Sequence, residues 1–379
     1  MMKLVYKPGL LLLLMVVLAT TMHAHDLDRR EFTKTIKKEF DISATGTTAI
    51  HNKYGKVNIK TWERNRVKVE VTIVVNAANE TGAQRVFDRI SVNFFNKADY
   101  VKAETIIEDA KRDWWNWSSY TSTAKNDYAI NYEVYLPATN NLELSNRYGD
   151  TFVASMSGRV NVDIKYGNIK LQNVNNNSKV VLAYGNGSLL KVQNMTGDLS
   201  YARLDCNEAN DVELVSKYSR VKLDKVGAVQ TSTKYDNYEI AQARAFRNEG
   251  RYDNLRLGTV QDVIVNSKYT QVNVEHIHNL LDLNLGFGGA SIGLVGKDFV
   301  SVNLVGSYTD FKLAVERSAQ FKFDASGSYA GITYPSDLNI SHHIEKGTSK
   351  EIRGHIGAQN ARGVITARLN YGGLKVRQE

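Results

Sequence analysis

Four groups of residues in this 379-residue chain are of types that could do chemistry, and their spacing decides what each can do. His276 and His278 flank Ile277, so on an extended strand both imidazoles share a face and offer two nitrogen ligands to a metal. A closed site takes about four ligands and nothing nearby supplies the others; His342 and His343 are adjacent and diverge on a strand, so no metal is expected. Cys206, the single cysteine, would act as a nucleophile only as a thiolate, and it falls in a column of apolar residues, so a buried thiol is expected. Trp114, Trp115 and Trp117 in "RDWWNWSSY" stand in a polar stretch and form a candidate aromatic contact loop for carbohydrate or protein. The fourth group is a basic residue placed directly before a tyrosine: Lys53, Arg147, Lys165, Lys217, Lys234, Arg251 and Lys268. On one outer face these make a basic stripe able to attract an anionic polymer with salt-dependent affinity, a field that Asp163, Asp198 and Glu249 dilute. Edge protection and solubility are the simpler roles for such a stripe. Nothing resembles a phosphate loop, a nucleophile elbow or a dinucleotide fingerprint, so no catalytic residue and no cofactor is expected.

The elements that position these groups follow from a repeat. Tyrosines fall at Tyr148, Tyr166, Tyr184, Tyr201, Tyr218, Tyr235, Tyr252 and Tyr269, spaced 18, 18, 17, 17, 17, 17 and 17 residues apart. Phe287 follows after 18, Tyr308 and Tyr329 after 21 each, and Tyr371 two further intervals of 21 beyond. Five residues after each of the eight tyrosines stand Val153, Leu171, Leu189, Cys206, Leu223, Ile240, Leu257 and Val274; eight after, and six before, the columns are again apolar, except at Ser178. Four residues after, the column is largely polar and faces water. Each copy is therefore a period-2 strand ending at the tyrosine, a two-residue corner such as Gly167-Asn168, and a second period-2 strand. Neither strand buries its apolar face alone; stacking the copies in parallel about 4.8 Å apart turns the columns into continuous ladders. The predicted fold is all-β, a parallel β-solenoid with coils of 17–21 residues. Because Tyr166 shares the parity of Val160, Val162 and Ile164, the tyrosines are expected inside or at the corner, as a structural ladder.

The N-terminal part is less regular. "HNKYGKVNIKTW" from His51 starts one early coil at Tyr54, "RVKVEVTIVV" from Arg66 reads as one long strand, and "YAINYEVYLP" from Tyr128 is strand again. Thr81 is placed to cap a short helix carrying Val86 and Ile90. Residues 25–140 are thus expected to form a β-rich segment that caps the solenoid of residues 141–379, with a small separate domain as the alternative. Ahead of them, Lys3 and Lys7 precede the apolar run 10–19, which reads as a signal peptide over residues 1–24. Its removal leaves 46 basic against 40 acidic residues, a mild excess that permits an acidic partner. No later stretch is apolar enough for a transmembrane helix, and one cysteine excludes an intramolecular disulfide.

An exported chain with repeated "KYGNIKL"-type copies and a strand-rich N-terminal segment resembles the bacterial putative-adhesin domain of β-strand-repeat proteins, of the Bacteroidetes type. The resemblance spans the chain from about Tyr54 onward, is structural in kind and brings no catalytic residues with it. It implies an exported protein of the periplasm, outer membrane or cell surface. The reading is a non-enzymatic, adhesin-like scaffold, with an anionic polysaccharide or an envelope protein as candidate partner and no nucleic acid. The alternatives are a polysaccharide-acting enzyme on a β-helix and a purely structural spacer. Catalysis would need clustered carboxylates on long loops, for which the coils from Tyr148 to Tyr269 leave no room; the less regular stretch after Tyr308 stays open to it.

Overall fold

A computed structural model describes residues 29–108 and 128–379. The expected signal peptide and Trp114, Trp115 and Trp117 lie outside them.

The described residues are nearly all strand, stacked as a parallel β-solenoid. Each regular coil has two sides. One runs up to the tyrosine, as in Val160–Lys165; the other runs away from it and bends into the next coil, as in the 15-residue strands Asn186–Ser200, Arg203–Lys217, Arg220–Lys234, Asn237–Arg251 and Asn254–Lys268. Neighbours pair in parallel and in register, so that Leu189, Cys206, Leu223, Ile240, Leu257 and Val274 lie one above another. All six are buried, as are the columns eight residues after and six residues before the tyrosine. Removing each Val, Leu, Ile, Met or Phe side chain among them from water contributes on the order of 1.5–3 kcal/mol, which a single coil could not collect on its own. Where the spacing shortens from 18 to 17, the register shift falls between Val174 and Asn177, at the bend away from the tyrosine corner.

Both ends are finished by antiparallel strands. At the N-terminal end Arg30–Asp41 pairs with Arg66–Ala77, which pairs with Tyr128–Pro137, and Ile90–Lys97 pairs with Tyr100–Ile107. The short helix runs Glu80–Phe87 with Ala83 and Phe87 buried. Its cap is Asn79, whose side chain accepts the Gly82 N–H at 2.8 Å, and not Thr81; Ile90 belongs to the following strand. At the other end, the hairpin Asn339–Lys346 and Ser349–Ile356 lies antiparallel against Phe321–Thr333.

The C-terminal order differs from the simple succession of intervals. The last strand, Gly363–Gln378, does not extend the rod beyond Phe321–Thr333 but inserts between it and Ser301–Val315, pairing in parallel with both. Tyr371 therefore sits between Tyr308 and Tyr329. The hairpin takes up the residues that the sequence interval alone would assign to another coil.

Candidate functional site

The tyrosines are the largest correction. They stand at the corner, and their rings point out. From Tyr148 to Tyr371 the aromatic corner residues are between 38% and 59% exposed. Thirteen aromatic residues, Tyr54 through Tyr371 with Phe287 among them, have φ between 51° and 61°. That is the left-handed region, which glycine enters freely and other residues rarely do. Gly167, where the sequence pattern places the corner, does not have a left-handed φ. It is glycine for another reason: a Cβ there would meet the Gly149 carbonyl oxygen at 2.1 Å, and one on Gly149 the Gly55 oxygen at 1.8 Å.

A left-handed residue breaks the inward-outward alternation. The residue before the tyrosine and the tyrosine itself both face out, and the residue after it faces in. Rings on successive coils then stack nearly parallel, with centroids 4.7–5.1 Å apart and interplanar angles of 4–11°. The twelve contacts make a rail about 60 Å long. Tyr128 packs edge-on against Tyr54 and closes the N-terminal end. Backbone pairing continues through the corner: the N–H of each tyrosine from Tyr54 to Tyr269 donates to the carbonyl before the next aromatic residue, at 2.7–3.1 Å. Because each interior ring shares both faces with neighbours, the rail offers solvent its ring edges and hydroxyls.

The basic residues lie beside the rail, on one flank. In register along the axis the column reads Lys53, Arg147, Lys165, Ala183, Ser200, Lys217, Lys234, Arg251, Lys268 and Gly286. The stripe is thus two blocks separated by Ala183 and Ser200. In the first block Arg147 is neutralised by Asp163 at 2.6 Å. In the second, Lys217, Lys234, Arg251 and Lys268 have no carboxylate partner among the described residues. The Lys234 ammonium lies 5.5 Å from the Tyr235 ring centroid. Across the rail, Arg203 and Arg220 stack in register on the other flank, beside a shallow groove that includes Tyr201, Tyr218 and Tyr235.

Beneath the rail, at Ser219, Asp236, Asp253 and Thr270, the inward residue after the tyrosine accepts the corner N–H of the coil before it. Ala202 N–H donates to Ser219 Oγ, Ser219 N–H to Asp236 Oδ1, Asp236 N–H to Asp253 Oδ1 and Asp253 N–H to Thr270 Oγ1, at 2.6–3.3 Å. Ser216 Oγ and Lys234 N–H also donate to Asp236, and Thr233 Oγ1 to Asp253. In the earlier coils, where that residue is glycine, Asn146 Nδ2 instead donates to the Gly55 and Gly149 carbonyls at 3.0 Å. Burial raises the pKa of Asp236 and pushes that of Asp253 up to about 6. These carboxylates are structural acceptors with no access to a substrate. Nothing in the motif distinguishes them from the glycines and serines that fill the same column, which is why sequence reasoning passed over them.

The remaining candidates fall as follows. Cys206 is buried, and burial pushes its thiol up to about 12, with Sγ 3.6 Å from the Glu208 carbonyl. His276 and His278 are exposed on either side of buried Ile277. His342 and His343 each lie near a carboxylate, Glu351 at 3.7 Å and Glu345 at 3.6 Å. Among the described residues no three His, Cys, Asp or Glu side chains group as metal ligands, and no helix is long and apolar enough to cross a membrane.

What the fold and surface define is a short-coil β-solenoid with an external aromatic rail. No family model matches the chain, and no curated protein matches it. Among solved structures it is similar to a "putative cell adhesion protein" from Clostridium sporogenes ATCC 15579, at 8% identity over 92% of this chain and 100% of that one, with a TM-score of 0.19. At that score the two share little common geometry, and the likeness says nothing of what this chain does.

Proposed function

We propose that the chain is an exported, non-enzymatic, adhesin-like scaffold that holds a surface polymer or an envelope protein against the tyrosine rail. The observation that carries the reading is the block Lys217, Lys234, Arg251 and Lys268: four cations in register beside exposed rings, with no carboxylate partner. Like charges directly opposite each other on paired strands destabilise a sheet. At about 4–5 Å in water the repulsion is up to about 1 kcal/mol per neighbouring pair. Elsewhere the rod relieves such contacts, as where Lys191 meets Glu208 at 3.0 Å. The block keeps its repulsion, and an anionic partner would remove it. Export rests on the apolar run behind Lys3 and Lys7.

A scaffold also fits the chemistry better than an enzyme. Asp236 and Asp253, the described carboxyls whose acidity burial weakens, face inward and are occupied with backbone N–H groups. Coils of this length leave little room for the long loops that build a catalytic cleft. The test is a glycan and envelope-extract binding screen of the wild type against a Lys217→Gln, Lys234→Gln, Arg251→Gln, Lys268→Gln variant, with product analysis of each polysaccharide. The reading expects binding that the variant loses and no shortened chains. Cleavage of any polysaccharide, or equal binding by both proteins, would overturn it.

A further inference from the structure

We infer that the partner is a linear acidic polysaccharide lying along the stacking axis between Tyr218 and Tyr269, close to one sugar per coil. The inference rests on the binding reading above and adds the chemical class, direction and register of the ligand.

The direction follows from where the unpaired cations are. Lys217, Lys234, Arg251 and Lys268 form one line parallel to the rail, with Arg220 on its other flank and Glu249 the only carboxylate in the column beside them over these four coils. A polymer that follows this line meets a cation at every rung; one that crosses it meets one or two. The rail itself favours an anion. An aromatic ring is negative on its face and positive at its edge, and stacking covers the faces and leaves edges and hydroxyls outward.

The class follows from what the rail withholds and from its repeat. A strand of nucleic acid binds non-specifically by stacking bases on free aromatic faces; here those faces are occupied, and rings less than 5 Å apart leave no room to intercalate. Each strand of a duplex also carries one charge about every 3.4 Å of axis, out of step with cations one strand spacing apart. In an extended acidic polysaccharide each sugar advances by close to that spacing, and its hydroxyls pair with the phenol groups.

The experiment uses the full chain and four probes: polygalacturonate, dextran, polyphosphate and single-stranded DNA, with oligogalacturonates for length. Polygalacturonate is expected to bind most tightly. Its affinity should fall by up to about 50-fold between 50 and 200 mM salt, the dependence of about four displaced counterions. Affinity should rise with oligomer length and level off once the about 15 Å of three strand spacings is covered. The quadruple Gln variant should lose the affinity and most of the salt dependence. A Tyr218→Phe, Tyr235→Phe, Tyr252→Phe, Tyr269→Phe variant, which keeps the stack as Phe287 does, should bind several-fold more weakly. Dextran or DNA binding as tightly, polyphosphate binding more tightly, or a quadruple Gln variant with unchanged affinity would overturn the inference while leaving a binding protein. Failure of every probe and of envelope extract would instead overturn the binding reading beneath it.

Discussion

A tyrosine in the left-handed region costs roughly 1–2 kcal/mol that glycine would not. Stacking returns about 0.5–1.5 kcal/mol per pair, so the two terms nearly cancel at each rung and stability alone gives little reason for tyrosine there. Phe287 keeps the same φ and a 5.0 Å spacing on both sides. Tyr235→Phe should therefore change stability by less than about 0.5 kcal/mol in urea denaturation, and its effects belong to binding. Asp253 makes the opposite kind of prediction. Burial raises its pKa to about 6, so the fold favours its neutral form. That stability is fully present below the unfolded value of about 3.9 and is lost as pH rises through about 6, a difference on the order of 3 kcal/mol. Thermal melts should show a higher Tm at pH 5 than at pH 8, and Asp253→Asn should flatten the difference; a Tm that rises toward pH 8 would contradict the assignment. The sequence revealed that a tyrosine recurs but not which way it faces. Alternation counted back to Ile164 points Tyr166 inward, and only the φ of Tyr166 itself breaks the count.

Coil by coil, the pattern was far more readable. The inward columns, the long strand from Arg66 and the strand from Tyr128 all stand where period-2 alternation puts them, because burial against the next coil enforces it. The glycine after the tyrosine was readable as a corner signal but not as a close approach between coils, which only the stacked backbones reveal. Gly149→Ala would drive a Cβ into the Gly55 carbonyl at 1.8 Å and should destabilise the rod by about 2–4 kcal/mol. Gly286→Ala meets only the Lys268 stem at 3.5 Å and should be nearly neutral, so a comparison of the two denaturation midpoints separates packing from glycine's flexibility. The inserted strand Gly363–Gln378 was not readable, because an interval counts residues and not the order in which coils stack. Paired on both edges, it should exchange its amide hydrogens as slowly as the central coils although it ends the chain. Rapid exchange there would contradict the insertion.

Over the whole molecule, the ends and the side have different work. The N-terminal edge strand Arg30–Asp41 carries Lys34, Lys37 and Lys38, and charges on an edge discourage further pairing with other chains. The C-terminal hairpin covers the last coil on the side that leads up to the tyrosine. With its ends blunted, the rod has as its most extended regular feature the rail and the cations beside it, and a partner that runs along the axis is what that geometry suits. Hydroxyl-radical footprinting of the full chain, with and without polygalacturonate, tests this most directly, since each rail tyrosine reports its own exposure. The account predicts contiguous protection from Tyr218 to Tyr269, with Tyr148 and Tyr329 unchanged. Binding that leaves those four rings as exposed as before, or protects only the hairpin Asn339–Lys346 and Ser349–Ile356, would contradict it.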